Sequence, residues 1–380
     1  MMKIVIIKIL KKSMLLIANI FPVKKKRIFF SSYNGKSFTC NPFYIAKYLM
    51  ENLYSEHELI VTIEKKSNNI VEESYLKTVL KGTLKYYIYY FTSKILITND
   101  SFPSYLPKKK KQFLINTWHG GGAYKRNLSN LKYFHNLYKI IYKDVDCFIS
   151  SNRRFSEVMS EDLYVKKEKF FSIGMPRNDM FFSEKIVSEN NSKIRNSFNI
   201  DDDTQIILYA PTWRDDGRII DGLQFNEKIL ETFRRKFNQK VKIFIRSHYH
   251  TKNLKYEEPD IIDVSGYTDM QELLCAADIL ITDYSSCMWD FSLMFKPCFI
   301  YATDIKQYKQ ERDFYTPISE WPFPVATSNK ELAENILYFD KDEYLEKVKK
   351  HHQDLGSFED GHATEKVAKL INDICSGEEK

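Results

Sequence analysis

The run Thr117-Trp118-His119-Gly120-Gly121-Gly122 places an imidazole directly before three glycines. An imidazole titrates near pH 6.5, so it can take a proton from a hydroxyl at neutral pH. Glycines let backbone approach a ligand closely. The plainer alternative is a His that caps a turn. A second cluster, Ile281-Thr282-Asp283-Tyr284-Ser285-Ser286, offers two hydroxyls at an expected helix start, where N–H groups and the helix dipole attract phosphate. Its plainer alternative is an Asp or Ser N-cap. A third, Phe244-Ile245-Arg246-Ser247-His248-Tyr249-His250, sets Arg246 and His248 two apart, a spacing that can meet one anion. No acidic or Cys ligand accompanies His248 and His250, so no metal site is expected. A fourth, Ala210-Pro211-Thr212-Trp213-Arg214-Asp215-Asp216, brings an Arg that either meets a ligand or pairs with its neighbouring aspartates. The pair His351-His352 lies in a Lys-rich stretch and reads as solvated surface.

Each of the four clusters follows an apolar run of strand character. Arg27 to Ser32, Glu58 to Ile63, Lys94 to Thr98, Phe113 to Thr117, Asp146 to Ser150 and Phe170 to Ile173 read as strands. The pattern restarts with Ile206 to Tyr209, Val241 to Ile245, Ile261 to Val264, Ile279 to Thr282 and Cys298 to Tyr301. Helical stretches are expected at Phe43 to Glu51, Leu84 to Ser93, Met270 to Ala276, 329 to 350 and 361 to 375. Such alternation implies parallel sheets with crossover helices. The polar stretch 190 to 203 reads as a linker. In open α/β sheets, ligands bind beyond the carboxyl ends of strands, where these clusters fall. The economical architecture is two Rossmann-like domains facing a cleft, with residues 1–26 a basic segment, 27–189 one domain and 190–380 the other. No GxxxxGK[ST] and no GxGxxG after a strand occurs, which disfavours a P-loop nucleotidase and a dinucleotide oxidoreductase, and no GxSxG is present.

The chain has 380 residues, enough for about two domains. Its 57 Lys and Arg against 50 Asp and Glu leave +7, too mild an excess to name a partner. Cys40, Cys147, Cys275, Cys287, Cys298 and Cys375 are scattered without paired spacing, which argues against a zinc site or disulfide scaffold and fits a reducing cytoplasm. On a helical wheel of the N-terminus, Ile6, Ile9, Leu10, Leu16, Ile17 and Ile20 share one side. Lys8, Lys11 and Lys12 gather on the other, with Ile4 and Leu15 among them. Lys24 to Arg27 follow. A basic amphipathic helix with a polybasic tail can lie on an anionic membrane. The alternative is a helix packed on the domain. The basic run Lys108 to Lys111 extends the same expected footprint.

FFSSYNGK, INTWHGG, GMPRND, ILYAPTWRDD, IRSHYH, YTDMQELLCAADILITDYSS and the Phe314-Tyr315 element occur in order along the chain. Together they resemble the CDP-glycerol glycerophosphotransferase family of teichoic-acid synthesis, from about Arg27 to about Ile374. The resemblance implies a GT-B fold, with acceptor at the N-terminal half and donor in the C-terminal half. It implies His119 as base and His248 as a catalytic group that stabilises the donor pyrophosphate. It places Arg214, Arg246, Asp269, Glu272, Asp283, Ser285 and Ser286 around the donor. It places Gly120, Gly121, Lys125 and Arg126 toward the acceptor. The chain departs from the family's WHGTP, reading WHGGGAYKR. It also departs at a loop that often contains PGP, reading Trp321-Pro322-Phe323-Pro324; there Phe323 is expected to alter the polyol or acceptor pocket.

The implied reaction moves a polyol phosphate, glycerol phosphate first, from CDP-glycerol or CDP-ribitol to a hydroxyl of a lipid-linked acceptor and releases CMP. No cofactor and no metal is called for. The implied partners are the activated polyol, an undecaprenyl-type saccharide and the membrane surface, without nucleic acid. The implied location is peripheral, on the cytoplasmic face of the membrane. A body of this length leans to single addition over processive polymerisation. Two other readings stay open: a GT-B glycosyltransferase using a nucleotide sugar, and a non-catalytic membrane-bound nucleotide-binding protein.

Overall fold

Ile28, Phe29 and Phe30 are consecutive and fully buried, as are Ile95, Leu96 and Ile97, and Ile206, Ile207 and Leu208. Apolar runs without alternation belong to parallel strands covered on both faces. The computed structural model describes residues 2–52, 57–64, 76–122, 124–126, 132–212, 227–237, 240–246 and 259–377. Within them the chain runs α1 (Met2–Ile20), β1 (Lys24–Ser31), α2 (Cys40–Asn52), β2 (Glu58–Ile63), β3 (Leu76–Leu80), α3 (Leu84–Thr92), β4 (Ser93–Thr98), β5 (Phe113–Asn116), α4 (Lys132–Tyr142), β6 (Cys147–Ser150), α5 (Arg153–Asp162) and β7 (Phe170–Ser172). It continues α6 (Glu184–Phe198), β8 (Thr204–Ala210), α7 (Glu227–Phe237), β9 (Lys240–Ile245), β10 (Ile261–Asp263), α8 (Met270–Ala276), β11 (Ile279–Thr282), α9 (Cys287–Phe291), β12 (Cys298–Tyr301), α10 (Ile305–Glu311), β13 (Val325–Ala326), α11 (Asn329–Leu337), α12 (Lys341–Leu355) and α13 (Ala363–Ser376).

The first sheet has the order β3-β2-β1-β4-β5-β6-β7 and the second β10-β9-β8-β11-β12-β13. All their described pairings are parallel. Counted from its own first strand, the second sheet reads 3-2-1-4-5-6, the doubly wound order, and the first reads the same with a seventh strand added after the sixth. The strand order therefore reverses between β1 and β4 in one sheet and between β8 and β11 in the other. The edge strands β3 and β13 escape the sequence reading, because one is short and alternating and the other is two residues long.

The chain divides into two compact units, Met1–Gly120 with Asn127–Asp179 and Ser357–Lys380, and Gly121–Arg126 with Met180–Gly356. This differs from the expected boundary at 189/190: residues 121–126 and 180–189 fall in the second unit and 357–380 in the first. The expected linker over 190–203 is largely helix α6, capped by the Ser183 hydroxyl at one end and by left-handed Asn199 at the other. Its polar surface hides a stripe as narrow as Ile194, which is fully buried. The C-terminal helix, expected with the second domain, returns to the first unit. The Asp179 carboxylate accepts the N–H groups of Ala363 (2.9 Å) and Thr364 (2.7 Å), satisfying orphan donors of α13. Glu359 accepts from the N–H of Met175 (3.1 Å) and from Asn178 Nδ2 (3.2 Å). Gly174 has φ +90°, and a Cβ there would lie 3.1 Å from the Phe358 carbonyl. The GMPRND motif is thus the seat of the returning chain.

α1 docks on the first unit through Ile4, Ile7, Lys11, Met14, Leu15 and Ala18, which recur at helical spacing and are the less exposed positions. Lys11 Nζ reaches Asp144 Oδ2 at 2.6 Å. Ile4 and Leu15, misfits on the wheel, belong to this docked side. Ile6, Ile9, Leu10, Leu16, Ile17 and Ile20 stay exposed, Leu16 and Ile20 by 75% and 77%. The run Lys108 to Lys111 does not form one exposed patch. Lys108 pairs with Asp146 at 2.5 Å, and buried Lys109 donates to the carbonyls of Ala18 (3.2 Å) and Phe21 (2.7 Å) at the end of α1. Burial and the Lys111 charge lower the Lys109 pKa. Among the described residues no helix is long and apolar enough to cross a membrane.

Candidate functional site

His119 follows β5 but leans back toward the β1/β4 reversal of its own sheet. Its Nδ1 lies 2.7 Å from the Asn99 carbonyl, one residue beyond β4. A carbonyl only accepts, so Nδ1 carries the proton and Nε2 the basic lone pair of the neutral ring. The Tyr33 ring, just beyond β1, is 5.7 Å away, and the Trp118 indole stacks at 5.0 Å and 21°. Asn99 is itself held, accepting from the N–H of Tyr33 at 2.8 Å. This is the geometry a general base needs: one nitrogen oriented by a fixed partner, the other basic.

Gly120 and Gly121 are buried. Gly122 is dictated locally, since a Cβ there would stand 2.0 Å from the Tyr124 ring. Residues 121–126 then belong to the second unit. Lys125 forms an antiparallel bridge with Phe314, and the Tyr315 N–H donates to the Tyr124 carbonyl at 2.7 Å. Arg126 Nε donates to the Phe314 carbonyl at 3.2 Å, stands 3.6 Å from Asp313 and lies over the Tyr315 ring. The Tyr124 ring stacks on Trp289 at 3.6 Å and 11°, and its hydroxyl bonds His351 Nε2 at 2.5 Å.

The pair His351-His352 is therefore not solvated surface. His352 Nε2 meets Ser292 Oγ at 3.0 Å. Burial, then the neighbouring His352, pushes the His351 pKa down to about 4. Lysines at flanking positions mask this, because only one face of α12 is wet. Phe323 is also core, buried with its ring 5.1 Å from Trp289. It fills interior space beside Trp289.

In the second sheet, the reversal lies between the ends of β8 and β11. Asp283, buried there, accepts the Thr212 N–H at 2.8 Å and so ties the two strand ends together. Tyr284 is interior, donating to Asp304 at 2.9 Å and stacking on Tyr308 at 3.9 Å. Ser285 and Ser286 are half-buried ahead of α9, a helix of five residues. Arg246 directly follows β9, its N–H donating to the Tyr209 carbonyl at 2.9 Å. Asp269 caps α8 through the Gln271 N–H at 2.9 Å. Glu272 accepts Lys193 Nζ at 2.7 Å and the Tyr267 hydroxyl. Arg214 and His248 lie outside the described residues. Among the described residues no His, Cys, Asp or Glu group has metal-ligand spacing.

The family model described as CDP-Glycerol:Poly(glycerophosphate) glycerophosphotransferase matches residues 13–373. The chain belongs to the CDP-glycerol:poly(glycerophosphate) glycerophosphotransferase family. Within that family it is 30% identical over 363 residues to the teichoic acid glycerol-phosphate transferase of Staphylococcus aureus, covering 91% of this chain and 93% of the relative. It is 31% identical over 373 residues to a teichoic acid poly(glycerol phosphate) polymerase of Bacillus spizizenii, covering 93% of this chain and 94% of the relative. A polymerase of Staphylococcus epidermidis is 33% identical over 370 residues, 92% of this chain, and there the chain spans 51% of the relative's length. Family members of matching length thus include both a transferase and a polymerase, so length does not separate single addition from polymerisation. The solved wall teichoic acid polymerase TagF superposes with a TM-score of 0.83 at 31% identity, covering 94% of this chain and 91% of that one.

The sequence reading of this family member missed the partners that aim His119. Asn99 and Asn41 stand in the runs ITND and TCNP with no spacing that links them to the histidine. The one available signal was that Asn99 directly follows a strand and Asn41 stands in the first turn of a helix, places where a buried amide serves loop backbone.

Proposed function

We propose that this chain transfers a polyol phosphate, glycerol phosphate first, from a CDP-polyol to a hydroxyl of a lipid-linked acceptor. The observation that carries the reading is His119, proton on Nδ1 and fixed by Asn99, in a chain matched to the family over residues 13–373. His119 Nε2 takes the acceptor's hydroxyl proton as that oxygen bonds to the polyol-bearing phosphorus. The bond from that phosphorus to the CMP oxygen breaks, and CMP leaves. Arg246, His248, Ser285 and Ser286, with Arg214, offset charge on the donor phosphates. Asp269, Glu272 and Asp283 hold the loops around the donor, since carboxylates repel phosphate. Gly120, Gly121, Lys125 and Arg126 serve the acceptor.

A GT-B arrangement is part of the proposal, as is a peripheral position on the cytoplasmic face of the membrane. The exposed apolar ridge of α1 and exposed Lys24, Lys25 and Lys26 support the latter. A TagF variant soaked with CDPG, 32% identical to this chain, supports the donor class.

The test uses the purified full chain with CDP-glycerol and CDP-ribitol in separate reactions, a lipid-linked disaccharide acceptor, and product mass with CMP release as readouts. CMP together with an acceptor heavier by one or more polyol phosphates is the expected result. Nucleoside diphosphate released from a sugar nucleotide would move the chain to the glycosyltransferases. No turnover of any donor would leave a binding protein.

A further inference from the structure

We propose that Asn41 is a positioning residue for His119, acting through the backbone of Trp118; the proposal rests on His119 being the base. Trp118 has φ +53°, a left-handed conformation that bulky side chains rarely adopt. Such a conformation persists where surrounding groups over-determine it. Here both polar groups of Trp118 are gripped. Its N–H donates to Asn116 Oδ1 at 2.9 Å, and its carbonyl accepts at 3.1 Å both from Asn41 Nδ2 and from the hydroxyl of the adjacent Thr117.

That carbonyl belongs to the peptide plane leading into His119. Its orientation sets the direction in which the His119 side chain leaves the backbone. Asn41 is fully buried in the first turn of α2. Its Nδ2 also donates to the Thr117 carbonyl at 3.1 Å, and its Oδ1 accepts the Arg177 N–H at 3.1 Å. The carboxamide is therefore fixed from a third segment, the GMPRND loop. It cannot rotate without stranding buried backbone groups. The Trp118 indole packs near Phe148 at 5.8 Å, so the side chain does not swing freely either.

Two asparagines thus divide the task. Asn99 fixes the imidazole from its main chain, and Asn41 fixes the peptide that carries it. Without the Asn41 donor, the Trp118 carbonyl keeps only the hydroxyl of the adjacent Thr117, which moves with the same loop, so Trp118 can relax toward negative φ, turning that peptide plane and displacing the His119 ring. A misplacement of about 1 Å at a reacting group costs on the order of 100-fold in rate.

The competing account is that Asn41 only staples the fold. A double-mutant cycle separates the two. Steady-state CMP release from CDP-glycerol, with a lipid-linked acceptor present, is measured for wild type, Asn41→Ala, His119→Ala and the double variant. We expect Asn41→Ala to lower the rate about 10- to 100-fold with donor KM within about threefold of wild type. In the His119→Ala background the same change should alter the rate by less than about threefold. Equal losses in both backgrounds, or no loss in the wild-type background, overturn the proposal. Near wild-type turnover by His119→Ala is a different failure: it removes the base assignment, and the proposal with it. If Asn41→Ala does not fold, Asn41→Asp carries the same cycle. It keeps the volume and the acceptor for Arg177 but replaces the donors to Thr117 and Trp118 with an oxygen.

Discussion

His119 Nδ1 and the main-chain oxygen of Asn99 stand 2.7 Å apart, at the point where the first sheet reverses its strand order. The contact fixes both the tautomer and the direction of the ring. A backbone acceptor does this without adding a charge beside the ring.

Replacing His119 by Ala should lower turnover about 10²- to 10⁴-fold, the range of general-base catalysis. Donor KM should change little, because the lost interaction belongs to the transition state. Steady-state CMP release checks both numbers. A variant that turns over like wild type is incompatible with the base assignment.

Exchanging Ser285 and Ser286 together for Ala should weaken CDP-glycerol binding. Each removed hydrogen bond to a charged group is worth about 1.5–3 kcal/mol. Titration calorimetry with CDP-glycerol reads the change. Unaltered affinity would remove both hydroxyls from the donor site.

Stability should fall with acid through His351. Its folded pKa is about 4, held down by burial, while an unfolded histidine titrates near 6.5. Between these values the unfolded chain binds more protons, so stability is full above pH 6.5 and declines as pH falls toward 4. Below that it levels off for this group. Protonation of Nε2 also ends its acceptance of the Tyr124 hydroxyl. Thermal melts from pH 7.5 to 4 should show a shallower decline in His351→Gln than in wild type. Parallel curves would rule out this residue as the source.

Gly174→Ala and Asp179→Ala should both destabilise the seat of α13. The first puts a Cβ at φ +90° and 3.1 Å from the Phe358 carbonyl. The second strips two N–H groups of their acceptor, a cap typically worth about 1 kcal/mol. Urea denaturation should show a lower midpoint for each. Protection of α13 amides from hydrogen exchange should fall as well, which a remote effect on stability would not produce selectively.

Leu16→Glu combined with Ile20→Glu should abolish sedimentation with anionic vesicles while the melting temperature stays near wild type, because both side chains already face outward. Persistent vesicle binding by this variant would place the membrane contact elsewhere. Lys109→Met should instead lower stability, since Lys109 holds the end of α1 from within.

Much of the sheet framework was legible because buried parallel strands are written as unbroken apolar runs, as in Ile28 to Phe30 and Ile279 to Thr282. The helix at Met270–Ala276 was legible for a similar reason, its apolar face recurring between two strands. Helix α6 was not, since Ile194 alone does not outweigh Asn, Ser and Lys around it in a polarity reading. His351 was misread because its neighbours in sequence are lysines, whereas its neighbours in space are Trp289 and Tyr124, the latter 227 residues away.

The residue types at strand ends, read in order, determined the α/β class, the expected place of His119 and the family whose chemistry to test. They did so because each is a local property: an apolar run, a turn-permitting glycine, a hydroxyl before a helix. Only the tertiary structure decided which nitrogen of His119 holds the proton, that Asn41 grips the peptide before it, that Lys109 alone of the Lys108–Lys111 run is seen to hold the end of α1, and that α13 returns to Asp179. Each depends on groups far apart in sequence meeting at hydrogen-bond distance, and that distance is set by how the elements pack.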